Sequence, residues 1–88
     1  MYGVTILWDD EAGGNAEHVG DHGLTPDEID AVLLGPGRPT TSTSPPYRPC
    51  KFGWTPTGRH IVVVWDEVSE DTIRPVTAFD VPPPGGQV

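Results

Sequence analysis

The sequence has little positive charge, almost no cysteine and no long apolar run, and each shortage excludes something. Five Lys and Arg stand against thirteen Asp and Glu, a net charge of −8. An acidic chain repels a polyanion at long range, which argues against non-specific nucleic-acid binding. The single cysteine, Cys50, excludes an internal disulfide and a cysteine-only zinc site. The longest apolar run, Ile61-Val62-Val63-Val64-Trp65, falls far short of the about 20 residues that span a bilayer. Met1-Tyr2-Gly3-Val4 has neither the basic nor the apolar region of a secretory signal. The expectation is a soluble cytoplasmic chain with no membrane partner and no cofactor. With 35% apolar residues in 88, there is material for one small core.

What is present is unevenly placed. Residues 1–37 hold eight carboxylates and no Lys or Arg, whereas residues 31–65 hold no carboxylate and carry Arg38, Arg48, Lys51 and Arg59. This basic strip either meets a phosphate or pairs with the chain's own acidic segments. Gly and Pro number 11 each, and they cluster at 35–37, 45–49 and 82–86, between apolar segments. That placement marks loops and a tail around a folded core.

Residues 3–8 alternate, with Val4, Ile6 and Trp8 on one side, and predict a strand. Asn15 to His22 predicts a short helix, with Asn15 as N-cap and Gly23 just past its end. Thr25-Pro26-Asp27-Glu28 is a capping box with Pro at the first helical position, and Leu24 and Ile29 occupy the staple positions. Ile29, Val32 and Leu33 form that helix's apolar stripe, and Gly35-Pro36 ends it. A long loop follows, with an edge strand at 39–44. Lys51–Thr55 and Arg59–Trp65 read as hairpin arms around the Thr55-Pro56-Thr57-Gly58 turn. The second arm is apolar throughout and is expected to be buried on both faces. An acidic turn at 67–71 leads to a last strand, Ile73–Val81, where Pro75 requires a sheet edge or a bulge. The predicted class is α+β: an N-terminal strand, two short helices, then a three- to four-stranded antiparallel sheet. Residues 1–81 form the domain and 82–88 a Pro/Gly-rich tail.

In this order the motifs resemble the BrnT-like ribonuclease toxins of type II toxin–antitoxin pairs, which have a RelE-like fold. They are Trp8-Asp9 closing the first strand, His22-Gly23 after the short helix, the Thr25-led acidic helix, Gly58-Arg59 before the apolar strand, and Thr77-Ala78 in the last strand. The resemblance spans about residues 4–80. It implies metal-independent RNA cleavage and a ribbon-helix-helix antitoxin as partner. The pattern also departs from the family: Asp21 stands where a Lys precedes His-Gly, and Phe79 where an Arg often follows Ser/Thr-Ala. No Arg precedes the hairpin turn near Trp54, and the chain ends in Pro and Gly rather than a basic helix. The alternative is therefore a non-catalytic protein-interaction module on the same scaffold, bound by strand pairing at an open edge near Pro75 or by a basic groove on its partner.

His22 and Arg59 are the candidate catalytic residues. Cleavage through the 2′-OH needs a base, an acid and a cation on the phosphate; imidazole suits the first two and a bidentate guanidinium the third. The structural alternatives are a His22 packed at a helix C-terminus and an Arg59 paired with carboxylates. Arg48, Lys51 and Trp54 are the candidate RNA-binding residues, with Tyr47 and Phe52 as further stacking surfaces. His60 should face away from Arg59 and be structural. His18 and His22 are four apart, with Glu17 or Asp21 nearby, but lack the His-Glu-x-x-His pattern, so no metal is expected. Trp8 and Trp65 are expected in the core. Lys51 beside Cys50 would favour a thiolate, yet no partner base supports a nucleophile.

Overall fold

The computed structural model describes residues 4–83. The order is β1 (Thr5–Ile6), α1 (Asn15–Gly20), α2 (Pro26–Leu34), β2 (Thr40–Thr41), β3 (Pro49–Trp54), β4 (His60–Ser69) and β5 (Thr72–Asp80). The fold is α+β. One five-stranded sheet runs β1-β5-β4-β3-β2, antiparallel except where β1 joins β5 in parallel. Gly3 of the first predicted strand and residues 84–88 of the predicted tail lie outside the described residues.

α2 follows its sequence signals closely. The Thr25 hydroxyl accepts from the Glu28 N–H at 3.2 Å, and the Glu28 carboxylate accepts from the Thr25 N–H at 3.1 Å. The second Glu28 oxygen takes the Thr57 hydroxyl at 2.6 Å, which ties the helix start to the β3–β4 turn. Leu24 and Ile29 are both buried, as staple positions should be.

α1 differs. Its N-cap is Gly14, and no side chain caps it. Asn15 is the first helical residue, and its amide is committed elsewhere. It donates to the carbonyls of Leu7 and Pro75 at 3.0 and 2.9 Å and accepts from the Asp9 N–H at 2.8 Å. The helix closes two residues before His22, and Gly23 turns the chain at φ +74°, open to glycine at no steric cost.

The strands are longer than the sequence suggests where they meet and shorter at the rims. β4 and β5 continue through the acidic segment, so the turn shrinks to 70–71. β1 and β2 each keep only a ladder of two residues. Pro75 lies beside a register shift at Val64/Trp65 and past the two residues that β1 pairs, so a bulge and an outward side without a strand partner together accommodate it.

The core lies between the helices and one sheet face. Val19, Leu24, Ile29, Val32 and Leu33 pack on Ile61, Val63, Trp65, Ile73 and Ala78, with Val4, Ile6 and Trp8 at its margin. The Trp8 indole N–H donates to Asp30 at 3.0 Å. β4 is buried on both faces at Ile61, Val62 and Val63. On the far face the register aligns Cys50 with Val64 and Phe52 with Val62 and Phe79. Residues 40–44 lean over part of it, above a groove of about 550 Å³.

Thr25→Ala removes the cap acceptor and loosens Glu28. It is expected to lower stability by about 1 kcal/mol, read from the urea unfolding midpoint at unchanged slope.

Candidate functional site

The β3–β4 turn positions Arg59. The Thr55 N–H donates to the Arg59 carbonyl at 2.8 Å, and the Arg59 N–H donates to the Thr55 hydroxyl at 3.0 Å. From there the guanidinium crosses to β5 and to the turn after α1. Nε and Nη2 donate to the two Asp80 oxygens at 2.9 and 2.6 Å. Nη1 donates to the Gly23 carbonyl at 2.6 Å and Nη2 also to the His22 carbonyl at 2.8 Å. The fork geometry that suits a phosphate is thus taken by a carboxylate and two carbonyls. The hydrogen bond to Asp80 raises the Arg59 pKa, and the same bond lowers that of the Asp80 carboxyl.

His22 and Arg59 are brought together, but through the His22 backbone. The His22 ring turns to Phe79, 6.2 Å between centroids, and meets the His18 ring edge-on at 5.5 Å. His18 Nε2 lies 3.0 Å from the Thr77 hydroxyl. The patch therefore holds exposed imidazoles beside a neutralised guanidinium. Among the described residues no group of three or more His, Cys, Asp and Glu converges as a metal site.

The expected phosphate strip is not assembled. Lys51 is 1% exposed; its register places it opposite Val63, on the helix side. Its ammonium donates to the carbonyls of Leu33 and Gly35 at 3.0 and 2.7 Å. Those acceptors belong to the end of α2, where the helix dipole favours a cation. Burial lowers the Lys51 pKa. Arg48 Nε pairs with Asp66 at 2.6 Å, and Arg74 reaches the other Asp66 oxygen at 4.0 Å. Trp54 is exposed, at the opposite end of β3 from Arg48, and packs on His60 at 4.9 Å. His60 is buried on the face away from the helices, stacked on Phe52, and its Nδ1 is 3.1 Å from the Pro82 carbonyl. Cys50 is buried too, and burial pushes its thiol pKa up, against the thiolate that its neighbour Lys51 suggested.

Two residues carry structural weight that the sequence did not announce. Asn15 looked like a cap and instead bridges Leu7 and Pro75; Asp80, one more residue within the expected last strand, closes Arg59. The expectation that Arg59 pairs with carboxylates was the sign of the second, without naming the partner.

Compared with family models, curated proteins and solved structures, the chain gives no significant match.

Lys51→Met leaves the Leu33 and Gly35 carbonyls without their donor and is expected to cost about 1–3 kcal/mol in urea unfolding. Asp80 and Glu28 both have lowered folded-state pKa values, the first through Arg59 and the second through Thr57. Their contributions are present above the unfolded carboxyl range and lost as pH falls through the folded values. Unfolding midpoints should therefore drop below about pH 4. Asp80→Asn should start lower at neutral pH and show a smaller acid-induced drop.

Proposed function

We propose that this chain is a BrnT-like scaffold that works as a non-catalytic protein-interaction module in the cytoplasm. The observation that carries this reading is the closure of Arg59: its guanidinium is held by Asp80 and by the His22 and Gly23 carbonyls. A phosphate at Arg59 has to displace Asp80, and a polyanion approaches a chain of charge −8 against long-range repulsion. Lys51 and Arg48 do not make up the deficit, because one is buried and the other is paired. A free buried thiol accords with a reducing compartment. Among the described residues no helix is long and apolar enough to cross a membrane.

The supporting surface is the aromatic side of the sheet. Phe52, Trp54 and Phe79 are 48%, 54% and 40% exposed, with Cys50, Val62 and Val64 beside them. Exposed apolar patches of this kind mark contact with other molecules. The partner class that the family resemblance suggests is a small ribbon-helix-helix protein.

A second reading keeps metal-independent RNA cleavage. It is favoured by one observation: His18, His22 and Arg59 meet in a single patch. The test incubates purified chain with total bacterial RNA in EDTA, beside His22→Ala, Arg59→Ala and Asp80→Asn. The expected outcome is no cleavage by the folded wild type. Cleavage by wild type that His22→Ala and Arg59→Ala both abolish would replace the interaction reading with the catalytic one. Cleavage that appears only in Asp80→Asn would identify Asp80 as the residue that silences the site.

A further inference from the structure

Alternation along β3, β4 and β5 gives the sheet a second apolar face, turned away from the helices. The register aligns Cys50 with Val64 in one row of this face and Phe52 with Val62 and Phe79 in the next. These rows form the floor and one end of the groove of about 550 Å³, and residues 40–44 form its wall. The wall is a run of hydroxyl residues, Thr40-Thr41-Ser42-Thr43-Ser44, and local bonds hold it in place. Thr40 and Thr41 pair with Cys50 and Pro49. The Ser42 N–H donates to the Arg48 carbonyl at 2.9 Å, and the Ser42 hydroxyl accepts from the Arg48 N–H at 3.1 Å. The same hydroxyl reaches the Ser44 and Pro46 carbonyls at 3.2 and 3.3 Å. The groove is therefore formed before anything enters it. Among the described residues, no hydrogen bond within the chain engages the hydroxyls of Thr40, Thr41, Thr43 and Ser44.

Charge decides what such a groove can hold. Its lining contains no Asp, Glu, Lys, Arg or His, in a chain with thirteen carboxylates and five Lys and Arg. Its one ionisable side chain is Cys50, and burial pushes that thiol pKa up, which keeps it neutral. An ion entering here would shed its water and gain no counter-charge. An apolar body loses nothing by that exchange. Depth decides between a molecule and a surface. Cys50 and Val62 are 3% and 5% exposed, recessed below the half-exposed Phe52 and Phe79 rings. A flat protein surface laid on this face meets the rings and leaves the floor empty, whereas a small molecule fills it. The volume lies in the range of small-molecule sites, which combine apolar walls with a few polar groups.

We propose that this groove is a binding site for an uncharged small molecule with an apolar body and a hydroxyl or carbonyl end. The body lies on Cys50, Val62 and Val64, against the Phe52 and Phe79 rings. The polar end faces the hydroxyls of residues 40–44, which can donate or accept. Burial of the body supplies the affinity, and the hydroxyl wall fixes the orientation. The site goes beyond the interaction-module reading and does not depend on it.

The test uses three probes that share one bicyclic body and differ in charge: naphthalene-2-methanol, naphthalene-2-carboxylate and 2-naphthylmethylammonium. Each is titrated into the full chain near neutral pH, and the NMR signals of Phe52, Val62, Val64 and Phe79 are followed. The alcohol is expected to shift these signals and to bind at least about tenfold more tightly than either ion. Val64→Phe puts a larger ring on the floor and should weaken the alcohol about tenfold, while Leu34→Ser, an exposed apolar position on α2, should leave it unchanged. The Cys50 thiol gives a readout that needs no variant: saturating alcohol should slow its alkylation by iodoacetamide severalfold. Equal binding of the three probes, shifts that map to another surface, undiminished binding by folded Val64→Phe, or no shift up to the solubility of the alcohol would each overturn the proposal. Groove signals of the free chain that move on dilution would also overturn it, by giving this face to a second copy. RNA cleavage is read separately, so failure of this site and failure of the interaction-module reading are different results.

Discussion

One guanidinium holds the helical layer to the sheet at its weakest corner. α1 is short, has no side chain at its N-cap and buries only Val19. A helix of this length has little stability of its own. Arg59 compensates from outside: it binds the carbonyls of His22 and Gly23 just past α1 and fixes itself on Asp80 of β5. The turn that delivers Arg59 is in turn held to α2 by Thr57 and Glu28. Both helices are thus tied to the same hairpin end by polar contacts, while their apolar stripes settle on β4 and β5.

The scarcity of cations explains why so much depends on each of them. With five against thirteen carboxylates, the fold commits three of them, Lys51, Arg59 and Arg48, to specific acceptors. Lys51 ends α2 from inside the protein, Arg59 ends the α1 turn, and Arg48 neutralises Asp66 on β4. Two of the three act at helix C-terminal ends, where carbonyls lack partners and the dipole is negative. Of the basic strip in the sequence, Arg38 stays exposed in the loop before β2, while Arg48, Lys51 and Arg59 are dispersed to opposite faces and ends of the β3–β4 hairpin.

Legibility in the sequence followed the range of the interaction. α2 was readable because Thr25, Pro26, Glu28, Leu24 and Ile29 act within one turn of each other. The hairpin was readable from Pro56 and Gly58, and the buried strand from its unbroken apolar run. Pro75 left two solutions, and the tertiary pairing uses both: a register shift against β4 beside it and no β1 partner beyond Ile73. The site was readable as residue types and not as partners. His22 and Arg59 do meet, but whether a guanidinium faces solvent or Asp80, 21 residues away, is decided by how the strands align. Lys51 shows the same limit: alternation along β3 puts it on the helix side, yet its acceptors at Leu33 and Gly35 belong to another element.

The two sheet edges are closed by different means. At β5 the chain uses a parallel strand, and then one asparagine amide where that strand stops, to occupy outward-facing carbonyls. At β3 a strand of the same brevity is followed by Pro36, Gly37 and Pro39 in place of any such side chain. An unpaired edge invites association, and folded proteins ordinarily blunt it with charge or cover it. Here the cover is the 36–39 segment itself: Gly37 lies against the Phe52 carbonyl, Pro36 and Pro39 offer no N–H, and Arg38 adds a charge. The closed Arg59 and the aromatic far face of the sheet therefore point the same way, since the first has no free guanidinium for a phosphate and the second leaves Phe52, Trp54 and Phe79 exposed.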